Sequence, residues 1–201
     1  MVEHSDDAAR SARVSALSLP NILTYARIVA VPAVVASFYL PGDAGRITAL
    51  IIFIAAAITD FFDGYLARAW QQQSALGRML DPIADKLLVA AAILVLVADN
   101  SIGGWSLWAG LIILSREILV SGLREFLAEV RVSLPVSRLA KWKTTVQMVA
   151  IGFLLLGPAG EPVFAYTVEV GLTLLWFAAI LTLYTGYDYF RAGFKHLLGD
   201  S

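Results

Sequence analysis

The sequence contains no cysteine, only two histidines and few charged residues, which make up 15% of its 201 positions. Without cysteine, the chain cannot be a small secreted module held together by disulfides. The net charge of −1 also argues against a nucleic-acid partner, which requires a strongly basic face. Residues 1–18 are polar and of mixed charge, so we expect no secretory signal there.

Hydrophobic residues, in contrast, make up 59% of the chain, and the mean hydropathy is +0.74. Soluble globular proteins carry about 45–50% apolar residues, so the surplus is expected to face lipid. At about 20 residues per membrane-spanning helix, the chain has room for about six spans. The alternating pattern of a lipid-facing β-barrel is absent from the sequence. We therefore predict an all-α integral membrane bundle of six transmembrane helices.

Charged and turn-forming residues mark where the spans end. Between Arg46 and Asp60 there are only 13 uncharged residues, so charges must be embedded in helix ends, where they are usually functional. A polar tail, 1–18, is expected to precede the transmembrane domain 19–192, and whether that tail forms a juxtamembrane helix stays open. Residues 193–201 form a second tail. The predicted spans are at about 20–40, 47–67, 81–98, 105–127, 140–156 and 166–190.

Lysine and arginine are distributed unequally between the two sides of the predicted bundle. The connections 41–46, 99–105 and 157–165 together contain one basic residue, Arg46, and the other side receives nearly all the rest. By the positive-inside rule, both termini and the connections 68–80 and 128–140 are cytoplasmic. The predicted location is a cell membrane, with the chain crossing it several times.

Aspartates are concentrated in segment 59–86. The aspartates and their small and basic neighbours stand at positions i, i+3, i+4, i+7 and i+8 on the first predicted helix and at i, i+4 and i+8 on the second. This spacing places each set on one side of its helix. If the two helices pack together, four carboxylates meet and require counter-charge. Oxygen ligands without histidine or cysteine nearby suit Mg²⁺ or Mn²⁺. The first set is Asp60, Asp63, Gly64, Ala67 and Arg68; the second is Gly77, Asp81 and Asp85.

The residues between the aspartates indicate what such a metal site would bind. Gly64 and Ala67 are small enough to let a bulky ligand approach the helix backbone, and Arg68 supplies a fork for a phosphate. Metal, arginine and carboxylate at one place favour pyrophosphate chemistry. The alternative is that the aspartates cap helices or pair with basic residues. That explanation fits any one of them better than it fits all four.

The pattern D-x2-D-G-x2-A-R-x8-G-x3-D-x3-D resembles the signature of the CDP-alcohol phosphatidyltransferase family and matches it at all eight positions. The resemblance implies a six-helix membrane enzyme, usually a homodimer, that binds a CDP-linked lipid and two metal ions at its cytoplasmic side. It implies that Asp60, Asp63 and Asp81 bind metal and that Asp85 both touches metal and acts as general base. It further implies that the cytidine diphosphate is contacted by Gly64, Ala67, Arg68 and Ser74.

The start of the first span, SLPNILTYAR, places Asn21, Thr24 and Arg27 at helical spacing. In the family this segment faces the nucleotide, so the resemblance implies that Asn21 and Thr24 contact the CDP group. The alternative is an ordinary helix start whose arginine snorkels to the membrane surface.

Four basic residues beside the predicted metal site indicate an anion pocket, which a phosphorylated acceptor would need. Flanking charge of the usual positive-inside kind is the alternative, and Glu117 is expected to neutralise part of the cluster. Arg116 fits that alternative poorly, because it lies about a dozen positions into the fourth span. The four basic residues are Arg116, Arg124, Lys141 and Lys143.

Within the family, the REI…GLRE and KxKT runs resemble the members that use glycerol 3-phosphate as acceptor. The resemblance implies CDP-diacylglycerol as the donor, with membrane lipids around the protein. Three alternatives stay open. An inositol-phosphate-using member also needs a basic pocket, a membrane prenyltransferase also uses paired aspartates on diphosphate, and an ion-coupled transporter also carries intramembrane carboxylates.

Overall fold

The computed structural model describes residues 19–70, 75–129 and 138–197. Within these ranges the chain is helical and contains no β-strand, which confirms the all-α prediction. A short 3₁₀ turn, Gly157–Gly160, leads into the last helix. The six α-helices are α1 (Leu19–Ser37), α2 (Asp43–Trp70), α3 (Ala75–Ala98), α4 (Ser106–Glu129), α5 (Arg138–Leu156) and α6 (Thr167–Leu197).

Each described helix overlaps one of the six segments predicted as spans. Helix α1 ends at Ser37, three residues before its predicted end, but several other helices extend further than the apolar runs. Helix α2 begins at Asp43 and ends at Trp70, where the sequence predicted 47–67. The helix continues through charged residues because its backbone hydrogen bonds do not depend on apolar side chains. Asp43 in the first turn also interacts favourably with the helix dipole. Helix α6 continues to Leu197 for the same reason. The predicted tail 1–18 lies outside the described residues.

The chain divides into two compact units, with the boundary between Ala92 and Ile93 inside α3. In the first unit α1 packs along α2, and Val34, Ala49 and Phe53 are buried. The two helices are joined by a tight turn. A Cβ atom on Gly45 would lie 2.7 Å from the carbonyl oxygen of Ser37, so only glycine allows α2 to start this close to α1.

In the second unit α6 packs against both α5 and α4. The contact with α5 is close at Gly171, where a Cβ atom would lie 2.8 Å from Cγ of Leu154. The buried side chains of this unit include Ile151 and Leu175. Helix α6 is therefore the element around which α4 and α5 are arranged.

Every helix exposes large apolar side chains. Within the described residues, two helices contain segments long and apolar enough to cross a membrane, Ser106–Leu127 and Thr167–Tyr187, and α1 contains a shorter apolar segment. Such extensive apolar exposure is typical of surfaces that contact lipid or protein. Exposed residues, one from each helix in order, are Val29, Ile51, Leu94, Ile118, Trp142 and Ile180.

Candidate active site

Helix α1 buries a row of three polar side chains. Asn21, Thr24 and Arg27 are 2%, 1% and 1% exposed, and they recur every three residues along one side of the helix. Because Arg27 is buried, the alternative that it snorkels to a membrane surface is wrong. A buried guanidinium is stable only where an anion or several acceptors compensate it.

The compensation comes from the aspartate motif. Nη1 of Arg27 lies 2.8 Å from Oδ1 of Asp60 on α2, and the Asp60 side chain is about half exposed. One turn earlier on α1, the hydroxyl of Thr24 donates a hydrogen bond to Oδ1 of Asp81 on α3. One face of α1 therefore holds an aspartate from each half of the motif, so Asp60 and Asp81 lie against the same stretch of helix.

Asp85 lies one turn beyond Asp81 on α3 and is partly exposed, while Gly77, one turn before Asp81, is buried. The remaining motif residues are described less completely. The backbone of Asp63, Gly64, Ala67 and Arg68 belongs to α2, but their side chains lie outside the described residues, as does Ser74 altogether. Their predicted roles stay predictions.

The chemistry of the described donors fits a hard divalent cation. Asp60, Asp81 and Asp85 offer carboxylate oxygens, and Arg27 and Thr24 orient two of them. Among the described side chains, no three acidic or histidine residues form a ready metal cluster. The Asp63 side chain, the fourth predicted ligand group, is not among those described.

The second unit contains an ion pair whose cation is buried. The ammonium of Lys143 on α5 donates to Oε1 of Glu117 on α4, and the Lys143 side chain is 2% exposed. Oε2 of the same glutamate lies 3.8 Å from Nη1 of Arg116. Lys143 is therefore not an ordinary flanking charge, although the alternative explanation of the basic cluster treats it as one.

Arg116 also contacts α6, because its Nη2 donates to Oγ1 of Thr185 at 3.3 Å. The four residues predicted to bind the acceptor phosphate therefore do not all lie in one described cluster. The structure joins Arg116 and Lys143 through Glu117, whereas Arg124 is exposed at the end of α4. The side chain of Lys141 lies outside the described residues.

The helices α5 and α6 contribute polar residues to this unit that were not predicted from the sequence. Oε1 of Gln147 and Oγ1 of Thr182 are buried and have no hydrogen-bond partner among the described residues. Buried atoms of this kind are usually satisfied by water or by a bound polar ligand. The signal was present in the run TLYTG of the last span, which places Thr182, Thr185 and Gly186 on one side of α6.

A family model, CDP-alcohol phosphatidyltransferase, matches residues 17–184. The match covers the polar row on α1, both halves of the aspartate motif and most of α6. The chain belongs to the CDP-alcohol phosphatidyltransferase family. As a member of this family it is an enzyme, and its two long apolar segments agree with a membrane protein.

Curated relatives resemble the chain over nearly its whole length. A protein of Rickettsia bellii is 49% identical over 179 residues, covering 89% of this chain and 97% of the relative. Relatives from Cereibacter sphaeroides and Shigella flexneri are 43% and 42% identical, each covering 90% of this chain and 97% of the relative. All three are named CDP-diacylglycerol–glycerol-3-phosphate 3-phosphatidyltransferase.

Proposed function

We propose that this protein transfers the phosphatidyl group from CDP-diacylglycerol to glycerol 3-phosphate, which gives phosphatidylglycerophosphate and CMP. The observation that carries the proposal is the identity of 42–49% over about 90% of the chain to enzymes named for this reaction. The buried Lys143 and the partly buried Arg116, both in the second unit, support an acceptor that carries a phosphate.

In the proposed mechanism Asp85 takes the proton from the 1-hydroxyl of glycerol 3-phosphate. The hydroxyl oxygen forms a bond to the lipid-side phosphorus of CDP-diacylglycerol. The bond from that phosphorus to the bridging oxygen breaks, and the bridging oxygen leaves as part of CMP. Asp60, Asp63, Asp81 and Asp85 would hold two Mg²⁺ ions, for which Mn²⁺ could substitute, and the ions would neutralise charge on the diphosphate.

The residues of the first unit have binding roles in this proposal. Asn21 and Thr24, together with Gly64, Ala67, Arg68 and Ser74, would hold the CDP group. Thr24 and Arg27 have a further role, because they orient Asp81 and Asp60 through the contacts described above. Glycerol 3-phosphate would be held by Arg116, Arg124, Lys141 and Lys143.

The proposed setting is a cell membrane that the chain crosses six times. Both termini and the active site would face the cytoplasm, which the unequal distribution of lysine and arginine supports. The resemblance to the family supports a homodimer.

The acceptor assignment predicts a selectivity order that can be measured directly. Purified protein supplied with CDP-diacylglycerol, Mg²⁺ and one radiolabelled acceptor at a time should convert glycerol 3-phosphate. It should use inositol phosphate far less and should reject glycerol. Glycerol lacks the phosphate that the basic residues would bind, and the loss typically costs a factor of 10⁴ or more where a site is built for the missing group.

The labelled lipid product identifies the acceptor, and released CMP measures the rate. Faster turnover of inositol phosphate than of glycerol 3-phosphate would contradict the assignment of the acceptor while leaving the family intact. Turnover of glycerol at a similar rate would contradict the phosphate pocket itself.

The topology proposal is testable because the chain has no native cysteine to label. Asn100→Cys and Glu161→Cys place a thiol in the α3–α4 and α5–α6 connections, where both native side chains are exposed. A membrane-impermeant maleimide should label both in intact cells and should label Gln72→Cys, between α2 and α3 in the chain, only after permeabilisation. Labelling of Gln72→Cys in intact cells would contradict the proposed orientation.

A further inference from the structure

Two residues of α6 fix the side chain of Arg116. Nη2 of Arg116 donates to Oγ1 of Thr185 at 3.3 Å, so the tip of the side chain is held by a hydroxyl on a neighbouring helix. Oγ1 of Thr185 itself lies 2.9 Å from the carbonyl oxygen of Leu181, to which it donates. Because the hydroxyl proton is used in that bond, a lone pair is directed to the guanidinium.

The stem of Arg116 is held one residue further along α6. A Cβ atom on Gly186 would lie 3.3 Å from Cγ of Arg116 and 3.9 Å from its Nε. The arginine stem therefore packs directly on the α6 backbone, and any side chain at position 186 would displace it by a few tenths of an ångström. Thr185 and Gly186 thus hold the two ends of one side chain.

The neighbouring cation has a different support. Lys143 is paired with Glu117, and that glutamate lies 3.8 Å from Arg116. Lys143 lies on α5 and Glu117 lies on α4. The contacts described from α6 are made to Arg116. The orientation of Arg116 therefore depends on α6 through the contacts with Thr185 and Gly186.

We propose that Thr185 and Gly186 are positioning residues, which orient the Arg116 guanidinium toward the phosphate of the acceptor and so set acceptor affinity from α6. The proposal rests on the proposed function, in which Arg116 binds the phosphate of glycerol 3-phosphate. A planar guanidinium binds phosphate through two parallel hydrogen bonds, and that geometry fails when the plane is rotated or shifted.

The test compares the kinetics of each substrate in Thr185→Val and Gly186→Ala. Thr185→Val keeps the shape of the side chain and removes the acceptor oxygen, so KM for glycerol 3-phosphate should rise about three- to tenfold. KM for CDP-diacylglycerol and the thermal stabilisation by CMP with Mg²⁺ should stay at wild-type values. Thr185→Ser should restore acceptor affinity, because it restores the hydroxyl.

Each variant has a matched control in the same unit. Thr173 lies on α6, is exposed and donates to the carbonyl oxygen of Glu169 just as Thr185 does to that of Leu181, so Thr173→Val controls for loss of the backbone contact. Gly122 lies on α4, and nothing approaches within 4 Å of a Cβ placed there, so Gly122→Ala controls for adding a methyl group. Both controls should leave both KM values unchanged.

A double-mutant comparison separates positioning from general packing. In an Arg116→Ala background, Thr185→Val should raise the acceptor KM by less than twofold, because its target is already absent. Equal effects on both substrates, or a full additional effect without Arg116, would overturn the inference. A wild-type enzyme that rejects glycerol 3-phosphate would instead refute the proposed function and this inference with it.

Discussion

Asp81→Asn is expected to lower turnover by about a thousandfold or more while the protein stays folded in detergent. Charge stabilisation by a bound metal contributes several kcal/mol to a transition state of this type, which corresponds to about that factor. An amide removes the negative charge that a hard cation requires. Its oxygen can nevertheless still accept the hydrogen bond from Thr24, so the contact between α1 and α3 is preserved.

The measurement is CMP release over a range of Mg²⁺ concentrations, together with thermal unfolding of each variant. Asp99→Asn is the matched control, because Asp99 directly follows α3 and accepts a hydrogen bond from Ser101, away from the motif. It should leave turnover unchanged. Wild-type rates in the presence of excess chelator would contradict metal dependence altogether.

Asp60→Asn tests metal dependence less directly, because it also changes an ion pair. Arg27 is 1% exposed and pairs with Asp60, so this change removes the anion that compensates a buried guanidinium. We expect it to destabilise the fold by about 1–3 kcal/mol in addition to any loss of metal binding. A lower unfolding temperature for Asp60→Asn than for Asp81→Asn would distinguish the two effects.

The contrast between the two aspartates shows where prediction from the sequence stops. The spacing within segment 59–86 indicates which residues share a helix face, since a helix has a fixed period. It does not indicate which residue of another helix meets them. The pairing of Arg27 with Asp60 depends on how α1 packs along α2, and no pattern within either helix contains that information.

The basic cluster shows the same limit on prediction from the sequence. The sequence predicts Arg116 as a functional charge because it lies deep in an apolar span. It gives no reason to separate Lys143 from Lys141, which lies two positions earlier. In the structure Lys143 is buried and paired with Glu117 between α4 and α5, whereas the side chain of Lys141 lies outside the described residues. Thr185 and Gly186 matter only because α6 packs against α4 at Arg116, which is again a property of the tertiary structure.

The ends of the helices were also predicted less accurately than their positions in the sequence. Apolar runs in the sequence located all six described helices. The runs underestimated α2, α3 and α6, since helices can carry charged residues in their terminal turns without losing backbone hydrogen bonds. The charged residues omitted in this way include Asp43 and Arg68, near the two ends of α2.

Asp85→Asn is expected to abolish turnover for a different reason from Asp81→Asn. A general base contributes typically 10²- to 10⁴-fold, and an amide cannot accept the proton of the attacking hydroxyl. Asp85 lies one turn beyond Asp81 on α3 and is partly exposed, so it remains accessible to an acceptor. Removal of a base should leave the binding of the CDP group largely intact.

Separating binding from turnover therefore decides the role of Asp85. Thermal stabilisation by CDP with Mg²⁺ should survive in Asp85→Asn better than in Asp81→Asn, although both variants should be inactive. Asp85→Glu, which keeps a carboxylate at a shifted position, should recover part of the rate if proton transfer is the function lost. If Asp85→Asn and Asp81→Asn lose nucleotide binding equally, Asp85 is a metal ligand only, and the base must be sought elsewhere in the site.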